Sequence, residues 1–158
     1  MMNMMKMTNM MTKTKFGGHI FVVCLLLLGT IASCKKETQV RKEAPNWSIK
    51  AAGDYPYTMT AVVTLPQMYG ATPAKGDQMA AFMGEDCRGI GTLTIVGGLP
   101  LYFILIHGTA TENAAVYFLY YNATQGAIYK SKEGSNFAVD SSFGTVDSPE
   151  MLKLFKLP

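Results

Sequence analysis

From Trp47 onward, short runs rich in Val, Ile, Thr, Tyr and Phe alternate with Gly, Pro, Asn and Asp. That texture predicts β-strands joined by turns, and no window holds a long 3.6-residue period. Residues 57–65 (YTMTAVVTL) alternate: Met59, Ala61, Val63 and Leu65 share one face, Thr58, Thr60 and Thr64 the other. Further strands are expected over 78–83, 86–96, 101–107, 114–121, 126–130 and 137–140, with one helical turn near 149–152. The run 101–107 (LYFILIH) is apolar on both faces and is expected to be central. The fold class is all-β: a single antiparallel β-sandwich, immunoglobulin-like or jelly-roll-like, over residues 47–158.

The stretch AAFMGEDCRGIG, residues 80–91, places Gly84-Glu85 between two strands. Glycine in the first position of a two-residue loop suits a type II′ hairpin, where φ is positive. The expected register pairs Met83 with Asp86, Phe82 with Cys87 and Ala81 with Arg88. Ala80, Phe82, Cys87, Gly89, Gly91, Leu93 and Ile95 then share an apolar core face. Asp86 and Arg88 share the other face, as an exposed ion pair or as groups presented to a partner. Cys87 is expected to be a small core residue rather than a reactive thiol.

The N-terminal third has a different texture. Seven of the first eleven residues are Met, no packing period explains them, and translation from nearer Met11 is an alternative start. Lys13 and Lys15 precede an apolar run, IFVVCLLLL, at residues 20–28. This is the layout of a secretory signal and is too short for a permanent span, which takes about 20 apolar residues. Ile31-Ala32-Ser33-Cys34 resembles the lipobox of bacterial lipoproteins. The resemblance implies cleavage after residue 33, lipid on Cys34, and a membrane partner through that anchor. Lys35 after Cys34 favours the outer membrane. Residues 34–46 are then the lipidated cysteine and a flexible polar tether.

Processing changes the charge. Of 14 Lys and Arg, three (Lys6, Lys13, Lys15) leave with the signal, and the other 11 balance 11 Asp and Glu. A neutral mature chain has no basic field for nucleic acid. With Cys24 removed and Cys34 acylated, Cys87 has no partner for an intramolecular disulfide.

Gly76-Asp77, Ala80-Ala81-Phe82, Gly84-Glu85 and Cys87-Arg88-Gly89 resemble a motif of secreted and surface β-sandwich modules of Bacteroidetes, approximately G-D-x-x-x-A-F-x-G-x-x-C-R-G. Tyr57-Thr58-Met59-Thr60, Phe137 to Asp140, Gly144-Thr145 and Asp147-Ser148-Pro149 follow the same family's order. Asp86 departs from the glutamate common in the motif. The resemblance implies a surface or extracellular role and brings no catalytic residues.

His107 is the only histidine after the signal, so no Ser-His-Asp set, zinc spacing or phosphate-binding glycine loop can be assembled. No cofactor is expected. Asp77, Glu85 and Asp140, with Asp86 and Asp147, are weak calcium candidates. Tyr117, Tyr121 and Tyr129 gather on one hairpin and could form an exposed aromatic row for a sugar ring or a protein anchor. The expected function is a lipid-anchored, non-catalytic binding module at the cell surface for a glycan or protein, with Arg88, Asp86 and these tyrosines as binding candidates. The alternatives are a periplasm-facing accessory subunit of an outer-membrane complex, and a hydrolase with an unrecognised site.

Overall fold

The computed structural model describes residues 41–49, 52–69, 73–132 and 134–158. The chain falls into two units, Met1–Thr38 and Gln39–Pro158, and all described residues lie in the second. The signal segment and Cys34 therefore lie outside the described residues.

The second unit is all-β. Nine strands follow in order: β1 Tyr57–Thr64, β2 Gln78–Met83, β3 Asp86–Val96, β4 Leu99–Gly108, β5 Val116–Asn122, β6 Ala127–Ser131, β7 Ser142–Phe143, β8 Glu150–Met151 and β9 Leu154–Lys156. Single 3-10 turns lie at Ala52–Asp54 and Gln67–Tyr69. The spatial order is β7-β1-β4-β3-β2-β5-β6-β9, with β8 also on β1. The long ladders are antiparallel, but β7 and β8 pair β1 in parallel, so the sheet is mixed rather than purely antiparallel. β1 to β6 match the expected runs to within two residues at either end. Residues 137–140 form no strand, and Asn136 makes only an isolated bridge to Ala115. The expected helical turn near 149–152 is instead the short strand β8 followed by Leu152.

The sheet curls because β3 serves two neighbours. Its first half pairs β2 and its second half, from Gly91, pairs β4. A bulge at Arg88 and glycines at 89 and 91 mark the corner. Bulges raise local twist, and glycine permits a tight bend or close backbone approach. A Cβ on Gly89 would lie 2.6 Å from the Leu105 carbonyl oxygen, and one on Gly91 would lie 3.0 Å from Met79 Cβ. At the far end the curl nearly closes. β8 lies on β1 and β9 on β6, and only Leu152-Lys153 separates them. Leu152 N–H donates to Thr64 O at 3.0 Å, and Lys132 N–H donates to Lys153 O at 2.7 Å.

The concave faces enclose the core. Met59, Ala61 and Val63 of β1 and Tyr102, Ile104 and Ile106 of β4 meet Met79, Ala81 and Met83 of β2 and Phe118 and Tyr120 of β5. Tyr69 packs edge-on against Tyr129 and Tyr120, at 4.9 and 6.2 Å between ring centroids. Such aromatic contacts add about 0.5–1.5 kcal/mol each beyond area burial. A smaller outer cluster holds Ala80, Phe82 and Cys87 under Trp47, Tyr117 and Leu119.

The folded unit starts upstream of Trp47. Lys42 N–H donates to Gly126 O at 2.7 Å, and the Arg41 guanidinium donates to Ala123 O and Thr124 O, both at 3.0 Å. Arg41 and Lys42, assigned above to the tether, are thus clasped to the β5–β6 turn.

Candidate binding face

The hairpin at Gly84-Glu85 forms as expected, with Gly84 at φ +59°. Met83 opposes Asp86 and Phe82 opposes Cys87. Beyond that the register departs from expectation: Ala81 opposes Gly89, because Arg88 is an extra residue bulged out of the ladder. One inserted residue inverts the side-chain parity downstream. Gly89 and Gly91 therefore line the main core instead of sharing a face with Cys87. Leu93 and Ile95, expected in the core, are exposed.

Arg88 is not presented to a partner. It is 6 % exposed. Its two terminal nitrogens donate to the two carboxylate oxygens of Glu112, each at 3.3 Å, and one also donates to His107 O at 3.3 Å. The Tyr55 ring covers the guanidinium at 3.5 Å. Asp86 stands off at 3.8 Å, so Glu112 rather than Asp86 is the principal counter-charge. Glu112 also accepts from Thr109 N–H at 3.0 Å, which fixes the β4–β5 loop. His107, through Nδ1, is 3.4 Å from Tyr55 O. Cys87 is buried; desolvation pushes its thiol pKa up, and a backbone hydrogen bond from Gly89 offsets this only in part. Such a thiol is inert.

The tyrosines form no exposed row. Tyr129 lies in the core and donates to Gln125 Oε1. Tyr121 is buried and donates to Lys42 O at 3.1 Å, beneath the incoming chain. Tyr117 alone is half-exposed, stacked on Phe82 at 5.7 Å, with Lys130 Nζ 3.8 Å from its ring centroid and its hydroxyl donating to Gly84 O at 2.6 Å.

The calcium candidates do not converge. Among the described residues, no three His, Cys, Asp or Glu side chains could share a metal ion. Asp77 is a turn organiser: its carboxylate accepts from Tyr120 OH at 2.6 Å, Ala123 N–H at 2.8 Å and Ala74 N–H at 2.9 Å. Asp140 is exposed at φ +57°, and Glu85 is exposed on its hairpin. Burial, then the hydrogen bond to Asp77, hold the Tyr120 phenol far above its usual pKa. Burial, then the Asp77 charge, do the same for Tyr102.

What the structure leaves open is the convex face of β1, β4 and β3. Val62, Phe103 and Thr92 form one cross-strand row, and Thr60 opposes Leu105, with Ile90 beside it on β3. These six side chains line a shallow groove of about 430 Å³. Ile90 is 42 % and Leu105 48 % exposed, and among the described residues no charged side chain lines the groove. The signal that could have found it is the doubly apolar run 101–107. The strand is central in the sheet, as expected, between β1 and β3, but a doubly apolar strand also calls for cover on both faces, and here one face is open. The stretch 89–106 also lacks Asp, Glu, Lys and Arg altogether.

No family model, no curated protein and no solved structure matches the chain.

Proposed function

We propose that the chain is a lipid-anchored protein of the cell envelope, held at the outer membrane through Cys34, whose folded unit is a non-catalytic module for a protein partner. One observation carries the reading: an uncharged apolar groove on the convex face of the sheet, while Arg88, Tyr121 and Tyr129 are engaged in the interior. A glycan needs converging hydrogen-bond groups and free aromatic faces. The groove supplies one aromatic, the half-buried Phe103, and the hydroxyls of Thr60 and Thr92, the first already donating to Ser141 O at 3.4 Å; Tyr121 and Tyr129 are in the interior. Apolar side chains of a partner match it better, because they lose no hydrogen bonds on leaving water. The lipobox order and the resemblance to surface modules support the envelope placement.

A photo-crosslinking residue at Leu105 tests the reading in intact cells. The expected result is one discrete protein adduct, recovered reciprocally from the partner and abolished by Ile90→Lys with folding unchanged. Adducts formed equally from position 85, or a glycan adduct, would overturn it. Cys34→Ala should release the protein from the membrane; continued acylation and membrane retention would defeat the anchoring half.

A further inference from the structure

The geometry points to a second membrane contact: the β3–β4 hairpin tip and Met68 form an aliphatic end of the folded unit that rests in the interface of the bilayer to which Cys34 is anchored. The inference builds on the lipid-anchor reading above and adds which end of the protein faces the lipid.

Three observations converge. The first is where the chain joins the folded unit. Arg41 and Lys42 clasp the 123–126 turn, and Lys42 Nζ also donates to Pro158 O. Cys34 and Arg41 are seven residues apart, so this turn can stand at most about 25 Å from the lipidated residue even with the chain fully extended.

The second is that the hairpin tip lies at this same end. Val63 pairs Tyr102, so the tip at Gly97-Gly98 lies beyond the Thr64 end of β1. Leu93 opposes Tyr102, whose ring is 6.4 Å from Tyr120. Tyr120 donates to Asp77, and Asp77 accepts from Ala123 in the clasped turn. Met68 borders a hollow of about 250 Å³ shared with Asn122, Thr124 and Gln125 of that turn.

The third is chemistry. Leu93, Ile95 and Leu99 on the hairpin are exposed, Ile95 at 55 %, and Met68 is 79 % exposed. Large aliphatic groups projecting from an uncharged hairpin are poor water-facing groups and good interfacial ones. Lys75, exposed in the turn before β2, and the Arg41 and Lys42 charges lie at the same end, as do the exposed acids Glu43 and Glu150, so the aliphatic groups rather than net charge carry the contact. The opposite end carries the exposed acid Glu85 and the half-exposed Asp86.

The test uses the lipidated mature chain in vesicles of phosphatidylethanolamine and phosphatidylglycerol. An environment-sensitive fluorophore is placed at Ile95→Cys, with Met68→Cys as a second reporter and Glu85→Cys as the far-end control. Labelling is selective because Cys34 is acylated in this reading and Cys87 is buried. Quenchers are carried on brominated acyl chains. The expected result is loss of most of the emission at 95 and 68 and none at 85. If the protein fails to float with the vesicles, the anchor reading falls and this one with it. If it floats but 95 and 68 are unquenched, or 85 is quenched equally, the anchor stands and the membrane-facing end is refuted. Because all three labelled positions are exposed, folding of each variant is checked by Cys87 remaining unreactive.

Discussion

The two halves of β3 run through opposite environments. Asp86 to Ile90 pass the corner of the sheet, where Cys87, Arg88 and Gly89 are buried and every close neighbour is specified. Gly91 to Val96 run out along β4, where no residue is fully buried and Leu93 and Ile95 reach solvent. One strand thus holds a buried cation fixed by Glu112 and, a few residues on, aliphatic side chains with nothing over them. The difference shows where each type of specificity resides. The first half determines the fold, since a buried guanidinium has only one arrangement that keeps its partners. The second half is free to serve a surface, since its side chains owe little to the core.

The sharpest way to break the contrast is to remove the counter-charge. Glu112→Ala leaves Arg88 buried without its main partner, and breaking a buried pair this way costs about 3–5 kcal/mol. Urea unfolding should show that loss in the midpoint; a loss below about 1 kcal/mol would place Arg88 among ordinary surface pairs. Next is Gly89→Ala. The added methyl would meet Leu105 O at 2.6 Å and Ile104 Cγ2 at 2.8 Å, and overpacking of this kind costs about 1–3 kcal/mol. Because the clash is with Leu105 backbone, the substitution should also disturb the groove, and crosslinking from position 105 should weaken alongside stability.

How much of this was legible in the sequence follows from the same strand. The hairpin at Gly84-Glu85 could be read because a single glycine at positive φ determines it locally. The bulge could not, because nothing in the alternation marks one extra residue whose stabilising partner, Glu112, lies in a distant loop. From that miss came the wrong face for Gly89, Gly91, Leu93 and Ile95, and the expectation of an exposed Arg88. The tyrosines failed for another reason. Alternation along 116–121 sets Tyr120 against Tyr117 and Tyr121, but it does not say what covers the outer set, and Lys42 covers Tyr121. β7, β8 and β9 are two or three residues long, too short to show any period. The convex groove was within reach, since a continuous apolar strand announces two apolar faces.

Two core tyrosines, Tyr102 opposite Leu93 of β3 and Tyr120 packed beside it from β5, sharpen the contrast at smaller magnitude. Tyr120 OH donates to Asp77, whereas Tyr102 OH is buried with no hydrogen-bond partner among the described residues. Tyr120→Phe should therefore destabilise by about 1.5–3 kcal/mol, the range for a hydrogen bond to a charged group. Tyr102→Phe should be neutral or stabilising by about 1 kcal/mol, since it removes an unsatisfied buried hydroxyl. Both phenols have folded-state pKa values raised above the unfolded value of about 10. Their neutral forms are favoured on folding, so their contribution is complete below pH about 10 and is lost as pH rises above it. Stability measured against pH should be flat with respect to these groups near neutrality and fall above about 10, less steeply in Tyr102→Phe. A profile that stays flat above pH about 10, or one no shallower in Tyr102→Phe, would place the hydroxyls in solvent.

The smallest effect is expected where the contrast predicts none. Ile95→Thr and Leu99→Thr lie on the exposed hairpin and make few core contacts, so each should change unfolding free energy by less than about 0.5 kcal/mol, the ordinary range for surface substitutions. Threonine is β-branched, as Ile95 already is, and strands favour it, so strand propensity opposes neither substitution. Retention of the protein on vesicles should drop only when the anchor is weakened, for example in a form carrying one acyl chain, because a single chain binds marginally and a second contact then becomes visible. A stability loss of about 2 kcal/mol from either substitution would show that the tip is packed against the folded unit, and the second half of β3 would then belong to the core, as the first half does.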